Sequence, residues 1–485
     1  MSNVKYRHLY VALAVGLLLS GCPSKKTDPE AAFCGMSLEQ VHGVRLEKTQ
    51  PVPVIRVEQF PASFMIGNRL SPGDKTCKFD LVGPEVRPDR IFFRHGSATV
   101  YNRGMLESSD KDRVRISYLI RNHSYGLVLI EPKAVAPDDS GKFSRNGLNF
   151  EVHGGAFMRL EKSIPLVRSL GPDTKVRIHN PSKGKLPVQL LIDNTSERLS
   201  TPRSHGPIKA ERIGPLTLRV GGTLGPGQKA SLELAPRELK RPFSFIFGGD
   251  VKQETPIYVR LLKQVQAKSD PLFMLTIGDY TRNCLPWEYQ AYFKTMEEVP
   301  FPVYYVKGNH ETHCQGDIHY RRLFAPGRFT FQVADLLFVV LDSNRQTNSG
   351  YRLGKEQLDW LDRILSDHAK LPWKLLALHT PPHPLHTSPK DAPFLYNLDQ
   401  QDGQRLKNLA KKHHVSYVLS GHAHLFARKV EDSVVYLTSG GAGAGLYSYN
   451  SLPGFSISLE NHLMVMHVME DSIEEERINL PPQSK

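Results

Sequence analysis

At 485 residues, with 40% hydrophobic and 23% charged residues, the chain has material for roughly two to four globular domains. That balance excludes both a wholly disordered chain and a membrane-embedded one. The formal net charge of +13 suits anionic partners, but the basic residues are scattered with no long Lys/Arg run, so no nucleic-acid partner is expected.

Lys5 and Arg7 precede an apolar run from Leu9 to Leu19, followed by Ser20-Gly21-Cys22. The run is too short to cross a bilayer as a helix and fits the apolar heart of a secretory signal. Leu19-Ser20-Gly21-Cys22 resembles the bacterial lipoprotein signal. That resemblance implies a signal peptide over residues 1–21, lipid attachment to the Cys22 thiol, and export to a bacterial membrane, periplasmic or at the outer surface. Residues 22–32 then form a lipidated polar tether.

Export places the other cysteines in an oxidising setting. Cys34, Cys77, Cys284 and Cys314 allow three pairings. Cys284 and Cys314 follow Asp279 and Asn309 at equal spacing, so neighbouring strand ends would bring them side by side. The expected disulfides are Cys34–Cys77 and Cys284–Cys314.

From 33 to 240 the chain shows short runs of β-branched, aromatic and aliphatic residues separated by Gly, Pro, Asn and Asp clusters. Examples are Val52–Val57, Val114–Ile120, Tyr125–Ile130, Lys175–His179, Pro187–Ile192 and Leu216–Val220. Strands at this spacing predict one or two β-sandwich-like units.

The pattern changes at Arg241-Pro242. Phe243–Phe247 reads as a strand ended by Gly248-Gly249-Asp250, and a helix follows with Ile257, Leu261, Leu262 and Val265 on one face. Leu272–Ile277 is a second strand, ending in Gly278-Asp279, and Pro286 opens a second helix. Val303–Val306 is a third, ending in Gly308-Asn309-His310-Glu311. Helices over Lys355–Leu365 and Gln404–His413 precede strands at Trp373–Leu378 and Val415–Ser420. Alternation of this kind predicts a layered α/β domain over 241–470, with 471–485 as a tail.

Five strand ends therefore carry Asp250, Asp279, Asn309, His379 and the pair His422/His424. A polar turn explains any one of them. Together they place two carboxylates, one amide and three imidazoles at one edge, a donor set suited to borderline divalent metals such as Mn, Fe, Zn, Co or Ni.

Gly249-Asp250, Gly278-Asp279, Gly308-Asn309-His310-Glu311, His379 and Gly421-His422-Ala423-His424 resemble the ordered motifs of the calcineurin-like metallophosphoesterases. Phe338–Ser343, Glu356–Leu361 and Thr438–Gly441 resemble that family's purple acid phosphatase-like branch. The resemblance covers about Phe243 to Val468. It implies a layered β-sandwich flanked by helices, preceded here by the β-rich region. It also implies two divalent or mixed-valence transition metals, Fe, Mn or Zn, bridged by Asp279. One would take Asp250, Asp279 and His424, and the other Asp279, Asn309, His379 and His422. A shared hydroxide would attack phosphorus in line, and His310 would give its proton to the leaving oxygen.

Two positions depart from that pattern. Lys252 stands where many members place a histidine, and Arg282 stands where the purple branch places a tyrosine, with Tyr280 nearby instead. Both cations are candidates for contact with substrate phosphate, and the first metal site is expected to be weakly occupied or completed by water or substrate. His313, His319, His383 and His386 read mainly as surface imidazoles, and Gly440–Gly445 as close backbone packing rather than a nucleotide loop.

The expectation is an exported, lipid-anchored phosphoesterase acting on a phosphorylated small molecule. The alternative is an envelope binding protein that keeps the fold and has lost hydrolysis.

Overall fold

The structure, a computed structural model, describes residues 36–48, 52–58, 62–67, 75–83, 86, 91–95, 105–110, 113–120, 125–130, 140–161, 163–252, 255–284, 286–312, 316–347, 350–385, 397–446 and 452–480. Cys22, Cys34 and Cys314, on which sequence expectations fall, lie outside them, as do His313 and His386. The chain divides into two compact units near residue 135.

The first unit is a β-sandwich. One sheet orders Ser37–His42, Ala62–Gly67, Tyr125–Ile130 and Ile91–His95, and the other orders Val44–Lys48, Val54–Val57, Lys75–Val82, Arg113–Ile120 and Met105–Asp110. Alternate residues such as Ile55, Phe79, Ile116 and Val128 fill the space between the sheets. Cys77 is a disulfide half-cystine within this unit.

The second unit opens with another sandwich. Its sheets order Lys142–Arg145, Leu148–His153, Lys175–His179, Lys229–Pro236 and Ser200–His205 on one side. On the other side lie Gly155–Glu161, Ile164–Ser169, Leu186–Asp193, Thr217–Leu224 and Ile208–Gly214. The sequence pattern foresees these short strands and leaves open whether they form one sandwich or two.

The rest of the second unit is the expected layered α/β body. A five-stranded sheet orders Val303–Tyr305, Met274–Thr276, Phe243–Gly248, His462–Val468 and Ile473–Asn479, with the first three parallel. A seven-stranded sheet contains the parallel set Leu336–Val340, Trp373–Ala377, Tyr417–Ser420 and Val434–Ser439. The inner faces meet through aromatic packing, with Phe245 and Phe273 stacked at 5.0 Å and both edge-on to Phe338. Helix Thr255–Lys268 buries Tyr258, Leu261, Leu262 and Val265 in the same core. Helices Lys355–Asp367 and Gln400–Lys412 contribute Leu358, Leu361, Leu406 and Leu409 to the core on the other face of the seven-stranded sheet. With both faces covered, the parallel strands are fully buried, which is why they read as continuous apolar runs.

Two differences from the sequence pattern are instructive. Helix Gln400–Lys412 starts earlier than its apolar period suggests, because Asp399 caps it, its side chain accepting from Asp402 N at 2.8 Å. The charged segment placed in the tail forms the edge strand Ile473–Asn479, whose Glu475 pairs with Arg428 at 2.8 Å. Three consecutive glutamates and an arginine on a half-exposed edge read as solvent-facing chain.

The second sandwich braces the site-bearing sheet. Val303–Tyr305 is that sheet's edge strand, and Asn194 closes it: its amide donates to Val303 O at 3.1 Å and accepts from Val303 N at 2.8 Å. Arg168 lies 5.3 Å over the Tyr305 ring, and Arg198 grips Asp270 at 2.8 Å. Asn194 holds this pose at φ 60°, a backbone region asparagine tolerates better than most residues. Asn194→Ala leaves the Val303 amide and carbonyl buried without that partner, and should cost about 1–3 kcal/mol in a denaturant melt; an unchanged midpoint would show that the brace is dispensable.

Candidate metal centre

Each site residue stands just beyond the carboxyl end of a parallel strand, where α/β folds present ligands. Asp250 follows Phe243–Gly248, Asp279 follows Met274–Thr276, and Asn309 follows Val303–Tyr305. His379 follows Trp373–Ala377, while His422 and His424 follow Tyr417–Ser420. Asp250, Asp279 and His422 sit in the left-handed backbone region at φ 66°, 58° and 66°, a strained arrangement typical of functional turns.

The glycines between strand and ligand are there for space. Gly278, at φ +88°, and Gly308 lie back to back, so a Cβ on the first would meet Gly308 Cα at 2.6 Å. A Cβ on Gly421 would come within 2.5 Å of Asp250 Oδ2. The Gly440–Gly445 run packs against the same loops as expected, with Ala442 N donating to Gly249 O at 3.0 Å and Ala444 N to Asp250 O at 2.8 Å.

Glu311 ties the strand ends together. Its buried carboxylate accepts from Asp279 N at 2.8 Å and Gly308 N at 3.0 Å through Oε2. Through Oε1 it accepts from Tyr280 N at 2.9 Å and Thr281 N at 3.1 Å. Burial and then the Asp279 charge push this carboxyl up to about 7, against the donors that favour its anion. The sequence shows Glu311 only as part of a polar cluster.

Around Asp279 the donor atoms converge. His379 Nε2 lies 3.2 Å from Asp279 Oδ1 and 3.0 Å from Asn309 Oδ1. His422 Nδ1 lies 2.9 Å from Asn309 Oδ1 and 3.1 Å from His379 Nε2. His379 Nδ1 donates to Ile277 O at 2.6 Å, which fixes the tautomer and turns Nε2 inward. Burial opposes a charged ring there, yet the Asp279 and Asp250 carboxylates push His379 up to about 9.

A second group, Asp250, Asp279 and His424, shares Asp279. His424 Nδ1 donates to Gly445 O at 2.7 Å, and its Nε2 faces Asp250 Oδ1 at 3.6 Å. Burial, then the Asp279 charge against His379 and Lys252, leaves Asp250 pushed up to about 8. For Asp279 the same neighbours and His310 overcome burial and hold the carboxyl well below its usual range.

The donor set fits cations. Asp250 Oδ1 and Asp279 Oδ2 are buried oxygens that accept no hydrogen bond, and four acceptor atoms crowd within 2.9–3.2 Å of their neighbours around Asn309 and His379. Mixed carboxylate, amide and imidazole ligation suits Mn, Fe or Zn. Around Asn309 the fit is complete. In the Asp250 group it is not, because Lys252 Nζ reaches His424 Nε2 at 2.9 Å and Asp279 Oδ2 at 3.2 Å.

The remaining candidates separate clearly. His310 Nδ1 meets Arg282 O at 2.6 Å, and its Nε2 lies 3.8 Å from Asp279 Oδ2. The Arg282 side chain is exposed, and its carbonyl is the group that orients His310. Tyr280 is buried with its hydroxyl donating to Val306 O at 2.5 Å, so it supports the strands rather than replacing the missing tyrosine. His383 faces Glu431 at 3.3 Å and packs on Tyr436. The expected Cys284–Cys314 bridge is not formed at Cys284, a buried thiol that donates to His310 O at 2.7 Å. Gln357 explains one more sequence motif: its side-chain amide exchanges hydrogen bonds with the Asp342 backbone at 2.9 and 2.8 Å.

The model of the calcineurin-like phosphoesterase family matches residues 243–426. A probable cyclic nucleotide phosphodiesterase of Synechococcus is 30% identical over 172 residues, 35% of this chain. The match spans 64% of that protein's length. A 3',5'-cyclic-nucleotide phosphodiesterase of Nostoc is 26% identical over 216 residues, covering 42% of this chain and 77% of the relative. Among solved structures, a purple acid phosphatase from yellow lupin aligns over 86% of this chain and 90% of its own, at TM-score 0.43 and 10% identity.

Glu311→Gln tests the clamp. Either amide orientation sets an NH2 group against two backbone N–H donors that now meet an oxygen. The α/β body should lose about 1–3 kcal/mol in stability by thermal or denaturant melting. Native-like stability would mean that the strand ends hold without it.

Proposed function

We propose that the protein is a metal-dependent phosphoesterase acting on a phosphorylated small molecule, exported and held at a bacterial membrane by lipid on Cys22. What carries the enzymatic reading is the convergence of Asp279, Asn309, His379 and His422 beside His310. The relatives named for cyclic nucleotides make a small phosphodiester the first substrate class to try. The export reading rests on Lys5, Arg7, the Leu9–Leu19 run and Cys22. Among the described residues, no helix is long and apolar enough to cross a membrane.

Divalent ions, when bound, supply a nucleophilic water at neutral pH and offset charge on the phosphate oxygens. The chain's own residues do the rest. His379 and His422, locked by the strand ends, hold the donor atoms in place. His310 is oriented by the Arg282 carbonyl and presents Nε2 toward the Asp279 side of the site, from which it protonates the departing ester oxygen.

One fractionation experiment tests both halves. Hydrolysis of bis-p-nitrophenyl phosphate, p-nitrophenyl phosphate and 3',5'-cyclic AMP, with Mn or Zn, should sediment with membranes, and Cys22→Ser should move it to the soluble fraction. Asp279→Asn should abolish turnover. His310→Ala should lower kcat roughly 10²–10⁴-fold for alkyl esters and less for p-nitrophenyl esters, whose leaving group departs without a proton. Metal binding with no turnover on any ester would make the protein a binding module; activity unaffected by Asp279→Asn would place the chemistry elsewhere.

A further inference from the structure

The sequence marks Lys252 as a departure, and the structure gives that departure a geometry. Val251 N and Lys252 N both donate to Asp279 O, at 3.0 and 2.9 Å, so the turn after Asp250 is wrapped onto Asp279. Lys252 itself sits at φ 45°, and its side chain is 11% exposed. Its Nζ ends between His424 Nε2 at 2.9 Å and Asp279 Oδ2 at 3.2 Å.

Those two atoms, with Asp250 Oδ1, are the donors of the second candidate group. A metal bonded to them at the usual roughly 2.0–2.2 Å would lie within hydrogen-bond reach of the same Nζ. An ammonium and a divalent ion cannot share that space without strong repulsion. Around Asn309 the described residues bring together oxygen and imidazole nitrogen atoms rather than an ammonium: Asn309 Oδ1 lies 3.0 Å from His379 Nε2 and 2.9 Å from His422 Nδ1, and His379 Nε2 lies 3.2 Å from Asp279 Oδ1.

We infer that the Lys252 ammonium replaces one of the two metal ions, so that the site binds a single divalent ion through Asp279, Asn309, His379 and His422. The second positive charge facing a phosphate is then supplied by the chain. Lys252 is a positioning and charge-supplying residue for that phosphate, and His424 is its acceptor rather than a metal ligand. Two carboxylates, Asp250 and Asp279, are balanced by one divalent ion and one ammonium with positive charge left for an anionic substrate. The inference rests on the phosphoesterase reading, which a metal count can test separately.

The experiment is elemental analysis of purified full-length protein, stripped with chelator, reloaded with excess Zn and desalted. Wild type should retain about one ion per chain, and Lys252→His, which exchanges the cation for a neutral nitrogen ligand, should retain about two. Lys252→Met removes the charge without adding a ligand, and should bind a second ion only in a titration at raised Zn. Circular dichroism of each variant guards against misfolding. Two tightly held ions in wild type overturn the inference and leave the metalloenzyme reading standing. One ion in wild type and one in a folded Lys252→His protein also overturns it, since removal of the lysine would not open a site. No ion in any folded protein would sink the metalloenzyme reading and this inference together.

Discussion

The Glu311 carboxylate fixes the geometry on which the site depends. Three parallel strands deliver polar residues to one edge, but strand ends alone do not set a carboxylate to within a few tenths of an ångström. Glu311 does so by accepting amide hydrogens from Asp279, Tyr280, Thr281 and Gly308, uniting the loop that carries Asp279 with the loop that carries Asn309 and His310. Burial of that carboxylate strengthens each bond and makes each costly to lose. The glycines at 278 and 308 follow from it, because the two loops can approach closely enough to share one carboxylate only without side chains.

The brace on the outer side of the same strand gives the second sandwich a place in the account. Val303–Tyr305 is short and lies at a sheet edge, the weakest position from which to hang Asn309 and His310. Asn194 supplies the hydrogen bonds a neighbouring strand would have made, and Arg168 covers Tyr305. The second sandwich is therefore part of the site's scaffold, although none of its described residues belongs to the candidate metal groups.

Much of this was legible in the sequence, for identifiable reasons. Continuous apolar runs ending in Gly-Asp, Gly-Asn-His or Gly-His-Ala-His announce buried parallel strands with ligands at their carboxyl ends, and the structure brings all six side chains to one place. What sequence could not supply was direction. Lys252 and Arg282 looked equivalent as nearby cations, yet Lys252 is buried with its amine against His424 and Asp279, while the Arg282 side chain is exposed and its carbonyl meets His310 Nδ1. Equal spacing of Cys284 and Cys314 suggested a bridge, but the Cys284 turn, at φ 60°, aims its sulfur at the His310 carbonyl. Asp399 as a cap and Ile473–Asn479 as an edge strand were hidden because their polar residues act through the backbone or a half-exposed face.

Diffraction at the zinc edge from crystals soaked with Zn and inorganic phosphate tests the central claim most directly. An anomalous peak is expected within about 2.0–2.2 Å of Asp279, Asn309, His379 and His422, with a phosphate oxygen as a further ligand. Well-ordered side chains at those four positions with no peak among them, or a peak held by other residues, would contradict it.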